Sequence, residues 1–278
     1  MEGIYFVWPF VPVMIFPKWR RLFNTNFLLH RNPRALEKRM GSIKAALGDG
    51  ILTSMWVFSV PLLGVFSSII AGYVGVEVRS IGGLFITINL AAILVLTFSS
   101  IGAAMGGASF NPATTVSFYA AGLKPDASLM SMAVRFPAQA VGGIGGAKAI
   151  LLVMPEIYRN RLKGPSLKVD LHTGAIAEGI VTFVFNFALL SIMLKGPKYM
   201  VLKVWMMAVV TVGLVTTGAN YSGPSMNPAN AYGWAYVNNW HNTWEFFYVY
   251  WVCPFIAAIS AASVFRFLFM APVKQKKA

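Results

Sequence analysis

Two tripeptides hold the residues best able to act on a small molecule. Asn111-Pro112-Ala113 lies within ASFNPATT, and Asn227-Pro228-Ala229 lies within PSMNPANA. Asparagine is a favoured helix N-cap and proline is at ease in the first helical position, so each tripeptide reads as a helix start. The oxygen of a capping amide takes the helix's own free N–H groups, which leaves its NH2 with donors to offer outward. If Asn111 and Asn227 meet, they can donate to one passing oxygen where the positive ends of two helix dipoles also converge. In a low dielectric such a point repels cations, and a water held there oxygen-inward cannot relay a proton. For either copy alone an ordinary Asn-Pro turn competes as an explanation.

Other chemistry finds little support. No paired carboxylates, histidine pair or nucleophile with a base stand within the apolar segments, so no catalytic residues and no enzyme are expected. His30, His172 and His241 lie far apart, and Cys253 is the single cysteine. A disulfide framework, a metal site and a cofactor are therefore not expected.

The elements that must position the two asparagines are set by composition. Of 278 residues, 57% are hydrophobic and 12% charged, with a mean hydropathy of +0.64. Lipid is the solvent such a chain suits. Apolar runs at 45–72, 81–103, 128–154, 174–194, 200–218 and 246–270 each approach or exceed the ~20 residues that cross a bilayer as a helix. An all-α membrane protein with six transmembrane helices follows. The net charge of +14 suggests nucleic acid at first sight, but Lys and Arg sit between and beyond the runs, where they set orientation, so the expected partner is the lipid bilayer. Counting Arg31, Arg34, Lys38, Arg39, Lys44, Lys124, Arg135, Lys195, Lys198, Lys203, Arg266, Lys274, Lys276 and Lys277 to one side predicts cytosolic N and C termini. The basic loop 156–170 runs against that bias.

Residues 1–40 differ from the rest: the short apolar run Ile4 to Phe16 contains Pro9 and Pro12. They are expected to be a disordered extension or upstream sequence ahead of a start at Met40. Residues 41–272 form the channel-like domain, with half-repeats of about 41–155 and 172–272, and 273–278 form a basic tail. The repeat shows in Gly48-Asp49-Gly50-Ile51-Leu52-Thr53 against Ala177-Glu178-Gly179-Ile180-Val181-Thr182. Three spans per copy is odd, so the second copy enters the membrane upside down, as an inverted repeat. The stretches Ala113 to Ala121 and Ala229 to Val237 are too short to cross and read as re-entrant half-helices, which are tolerated only in protein or beside a water-filled cavity.

At this point the residues resemble the aquaporin, or major intrinsic protein, family over essentially all of 41–270. Ala138-Gln139 and Trp251-Val252-Cys253-Pro254 are similar to its third-span and sixth-span motifs, with Cys253 in place of glycine. Within the family the chain resembles the plant-type small basic intrinsic proteins, through MGSIKAALGDG, FNPATTVSFYAAG, GPSMNPANAYGWAY and the lysine-rich tail. Ala113 departs from that group's usual first motif. The resemblance implies that Asp49 and Glu178 are buried and support the re-entrant loops; charges snorkelling from span ends are the alternative. It also implies a filter of Ala91 (or Leu90), Val215, Pro224 and Asn230, where most members have arginine in place of Asn230. Such a filter is neutral and depends on width and central dipoles more than on outer charge.

The resemblance implies a passive water channel with leak of small neutral solutes, built as a homotetramer. A non-conducting or weakly conducting structural or regulatory membrane protein of the endoplasmic reticulum is the alternative. Lys274 and Lys276 form a Lys-x-Lys-x-x retrieval pattern that, with the resemblance, points to the endoplasmic reticulum membrane. A plain basic tail is the competing reading.

Overall fold

The computed structural model of the protein describes the backbone of residues 33–123 and 128–270, with side chains from Gly41 onward. Lys124 and the proposed retrieval residues Lys274 and Lys276 lie outside the described residues. Two compact units are distinguished, Met1–Gly41 and Ser42–Ala278. Of the first, only the helical backbone from Pro33 is described, and the second holds all the other elements. Helix α1 runs Pro33–Val74, so helix begins inside the segment expected to be an extension.

The remaining elements are α2 (Ile81–Ala104), α3 (Pro112–Ala120), α4 (Leu129–Val153), the single turn α5 (Glu156–Arg159), α6 (Leu171–Lys195), α7 (Met200–Gly218), α8 (Pro228–Val237), the turn α9 (Trp244–Phe247), a π-helical segment Tyr248–Val252, and α10 (Cys253–Phe269). Among the described residues, six stretches are long and apolar enough to cross a membrane: Gly41–Val74, Ile81–Ala104, Leu129–Val153, Leu171–Lys195, Met200–Gly218 and Trp244–Phe269. Their ends fall where capping chemistry places them. Ser80 accepts from Gly83 N–H at α2 and Ser128 from Ser131 N–H at α4. Asp170 accepts from His172 and Thr173 N–H at α6. The hydrogen bonds it takes from Thr173, side chain first and then backbone, hold its carboxyl below the usual value, so this cap is kept at neutral pH and lost as acid reaches that lowered value.

Helices α3 and α8, nine and ten residues long, reach only about 15 Å at ~1.5 Å per residue. Helix α3 packs against α10, and α8 packs against α4. Each short helix thus leans on the last long helix of the other half of the chain. Helices α6 with α7, α6 with α10 and α2 with α7 complete the principal packing.

Close backbone approach, rather than large side chains, joins α4 to its neighbours. A Cβ on Gly142 would stand 2.1 Å from Gly50 O, and one on Gly146 would stand 2.2 Å from Ser54 O. On the adjoining face, a Cβ on Gly143 would stand 2.4 Å from Ala229 O, and one on Gly233 would stand 2.3 Å from Gly143 O. Small residues let helices meet in this way where lipid supplies no hydrophobic drive between them. The π-helical segment has a local cause. Pro254 has no N–H for the Tyr250 carbonyl, and the Cys253 N–H instead reaches five residues back to Tyr248 O. The outer surface carries large apolar residues such as Ile81, Ile93, Leu152 and Phe267, a coat that needs an apolar solvent.

Candidate functional site

Helices α3 and α8 meet at their N-termini. Asn111 caps α3: its Oδ1 accepts from Ala113 N–H at 3.0 Å and Thr114 N–H at 3.4 Å. Asn227 caps α8 in the same way, accepting from Ala229 N–H at 3.1 Å and Asn230 N–H at 3.3 Å. The amide nitrogens cross over. Asn111 Nδ2 donates to Met226 O at 2.9 Å, and Asn227 Nδ2 donates to Phe110 O at 2.9 Å. Each asparagine therefore bonds the residue preceding the other, which takes one of its two amide hydrogens and leaves one to offer. Pro112, Ala113, Pro228 and Ala229 are all buried behind this junction.

Both acids named from the sequence are fully buried and hold the loops that lead into the caps. Glu178 Oε1 accepts from Met226 N–H at 2.7 Å and Ser225 N–H at 3.1 Å, and its Oε2 accepts from Ser222 Oγ at 2.7 Å. Tyr250 steadies the same loop from the π-helical segment by donating its hydroxyl to Ser222 O. Met226 has φ of +51°, a left-handed backbone that a side chain rarely takes and that costs on the order of 1–3 kcal/mol. Glu178 grips its N–H and Asn111 grips its carbonyl, so the strain is held from both ends.

In the first half Asp49 accepts four bonds. Its Oδ1 takes Ser109 N–H at 2.8 Å and Arg135 Nη2 at 2.7 Å, while its Oδ2 takes Arg135 Nε at 2.6 Å and Gln139 Nε2 at 2.7 Å. Arg135 corrects the sequence reading: counted there as a topology charge between spans, it is a buried residue inside α4. Gln139, quoted only as part of a family motif, acts on the same carboxylate. A further residue the sequence did not single out is Trp56, which stacks on Phe110 at 4.3 Å between centroids and meets Phe98 edge-on at 5.2 Å. Asp49 and Trp56 lie seven residues apart, two turns along one helix face, and that spacing was the available signal.

The expected filter residues are placed less uniformly. Asn230 Nδ2 donates to Ser225 Oγ at 3.1 Å, and Ser225 Oγ in turn donates to Asn227 O at 2.8 Å. Its amide is thus turned back toward the loop. Pro224 lies against Gly218, where a Cβ would meet its ring at 2.6 Å, which fixes the chain just beyond the end of α7. Val215 is in phase with the buried Val204, Ala208 and Gly218 of α7, yet it is 42% exposed. Ala91 is buried on α2, which packs on α7, while Leu90 beside it is half-buried.

Among known protein families, residues 37–265 match the one described as Major intrinsic protein. The chain is 50% identical over 241 residues to Aquaporin SIP1-1 of Oryza sativa subsp. japonica, a match that covers 86% of this chain and 98% of that protein. It is 44% identical over 238 residues to Aquaporin SIP1-1 of Arabidopsis thaliana, covering 86% and 98%. Among solved structures it is similar to the aquaglyceroporin from Plasmodium falciparum, with a TM-score of 0.61 at 16% identity, covering 81% of this chain and 95% of that one. That last likeness concerns the fold.

Proposed function

Since this chain belongs to the major intrinsic protein family, and within it to the small basic intrinsic proteins, we propose that it is a passive water channel that also admits small neutral solutes. The observation that carries this reading is the crossed pair of capping asparagines. Two helix N-termini meet there, and each amide keeps one hydrogen for a passing oxygen. The converging dipoles oppose cations at that point. Osmotic gradients drive the flow, and no ionisable group need change state.

The outer mouth is neutral in this proposal. Asn230 stands in the arginine's usual place with its amide folded toward Ser225, and Val215 and Pro224 offer apolar walls, so width does most of the selecting. The proposed arrangement is an inverted repeat with cytosolic termini, homotetrameric, in the endoplasmic reticulum membrane. The exchanged packing of α3 on α10 and α8 on α4 supports the repeat, and the Lys and Arg distribution supports the orientation.

Stopped-flow light scattering of reconstituted vesicles tests the proposal. Faster osmotic swelling than protein-free vesicles supports it. Equal rates at verified incorporation would leave the non-conducting structural or regulatory role instead. Asn230→Arg is expected to lower glycerol flux several-fold more than water flux, because a long charged side chain replaces a short amide that is turned aside. An unchanged ratio of the two fluxes removes Asn230 from the filter. Replacing Lys274 and Lys276 with serine is expected to release the protein from the endoplasmic reticulum to later membranes, read by fluorescence microscopy. Unaltered staining means the address lies elsewhere.

A further inference from the structure

The two buried acids are not equivalent. Glu178 is met only by N–H and hydroxyl donors, whereas Asp49 is gripped by the Nε and Nη2 of Arg135 in a two-point fork. Among the described residues this is the only ion pair formed by two buried side chains. An arginine inside a membrane-crossing helix is expensive, and removing one partner of such a pair is strongly destabilising. Asp49 could hold Ser109 with its own oxygens, as Glu178 holds Ser225 and Met226, so the cation needs a reason of its own.

Position supplies one. From Asp49 Oδ1 the next contact is Ser109 N–H, two residues before the capping Asn111, and Ser109 Oγ lies 2.9 Å from Thr115 Oγ1, inside α3. Arg135 Nη2 also reaches Gly107 O at 3.4 Å. The loop is therefore fixed at Gly107 by the guanidinium and at Ser109 by the carboxylate, and both groups belong to one rigid fork. The charge matters as much as the geometry. A bare carboxylate this close to the N-terminus of α3 opposes the positive potential that the two helix ends create at the junction.

We propose that Arg135 is a positioning residue for the central constriction: it cancels the Asp49 charge behind the first half-helix and, with Asp49, locks residues 107–109 so that Asn111 meets Met226. This rests on the channel reading. In the first half the support for the loop is delivered without net negative charge, so the barrier to cations is preserved.

The test uses Arg135→Gln, Arg135→Lys and the double variant Asp49→Asn with Arg135→Gln. Two readouts are taken: cation and proton leak into vesicles carrying a pH-sensitive dye, and hydrogen exchange of the Ser109 amide in detergent. With Arg135→Gln the leak and the exchange rate are each expected to rise about tenfold, a shift typical of one uncompensated charge or one lost hydrogen bond. The double variant, which removes both charges and also the fork, is expected to bring the leak back to within about twofold of the parent while exchange stays raised. Arg135→Lys keeps the charge and loses the fork, so its leak stays near the parent while exchange rises. If Arg135→Gln fails to fold, the lysine and double variants still decide the matter. A double variant that leaks like a bare carboxylate, or a lysine variant whose leak rises, overturns the charge role; unchanged Ser109 exchange in the variant that loses the fork overturns the locking role. Parent vesicles that pass no water sink the channel reading alone, because the exchange measurement needs no conduction.

Discussion

Asn227→Asp is expected to convert the centre of the channel from a barrier to cations into an attraction for them. The change is nearly isosteric, and aspartate is as good an N-cap as asparagine, so the bonds to Ala229 and Asn230 N–H survive. What is lost is the donor. An oxygen replaces Nδ2 opposite Phe110 O, leaving a part-buried carbonyl without that donor, at a cost of up to about 1 kcal/mol. A full negative charge also enters where only helix-end partial charges stood. At about 4 Å and an effective dielectric of about 20, that charge attracts a monovalent cation by about 4 kcal/mol, which corresponds to about three orders of magnitude in rate. Potassium leak should rise by about two to three decades on that scale, while water flux falls because the passing oxygen meets an acceptor. Conductance of planar bilayers measures the first and stopped-flow swelling the second. Leak that stays at the parent level would mean that the crossed amides are not on the conduction path.

Gly143→Leu should remove function by removing the fold. A Cβ at this position already lies 2.4 Å from Ala229 O, and Gly233 on α8 presses on Gly143 from the same side at a similar distance. Both obstacles are backbone, so no flexible side chain can give way. Overpacking a close contact typically costs about 1–3 kcal/mol and occasionally more; a leucine wedged between backbones belongs at or beyond the upper end. The expected result is aggregated protein by size-exclusion chromatography, or soluble protein whose thermal transition in detergent falls by at least about 5 °C and whose vesicles swell like empty ones. Gly145→Leu, on a neighbouring face, is the control. A Cβ there meets only Ser54, with Oγ at 3.3 Å, and the loss should be smaller.

The central pair was legible in the sequence because its chemistry is local. Asparagine followed by proline sets up a helix start within a few residues, and the same pattern written twice, each time after the second apolar run of its half, points to starts that belong together. The six apolar stretches were legible for a similar reason, since bilayer thickness fixes their length. Asp49 and Glu178 were singled out by the matching segments of the two halves, and their place beneath the loops came from the family resemblance rather than from any local rule.

Arg135 was not legible, because a lone arginine near the start of an apolar run carries the same signal whether it faces lipid headgroups or an acid on another helix. Only the crossing of α1 and α4 decides between those. The glycines of α4 were hidden for a related reason: Gly142, Gly143 and Gly146 differ in partner by one step around the helix, which a sequence of small residues does not reveal. Asn230 directly follows the second motif in the sequence, but the direction of its amide depends on Ser225, and that contact exists only once Glu178 has drawn the loop into shape.

The crossed asparagine bonds also bear on how the chain is made. The acceptor for Asn111 is the carbonyl of Met226, 115 residues further on, and the long helix that shelters α3 is α10, the last of the described helices. During synthesis, the first half-helix can therefore be written and inserted, but not finished. Its cap waits with an unspent donor until the second half has been threaded into the membrane and Glu178 has drawn Met226 inward. A chain cut short before residue 226 keeps that donor without its acceptor, a polar group that lipid cannot satisfy at membrane depth.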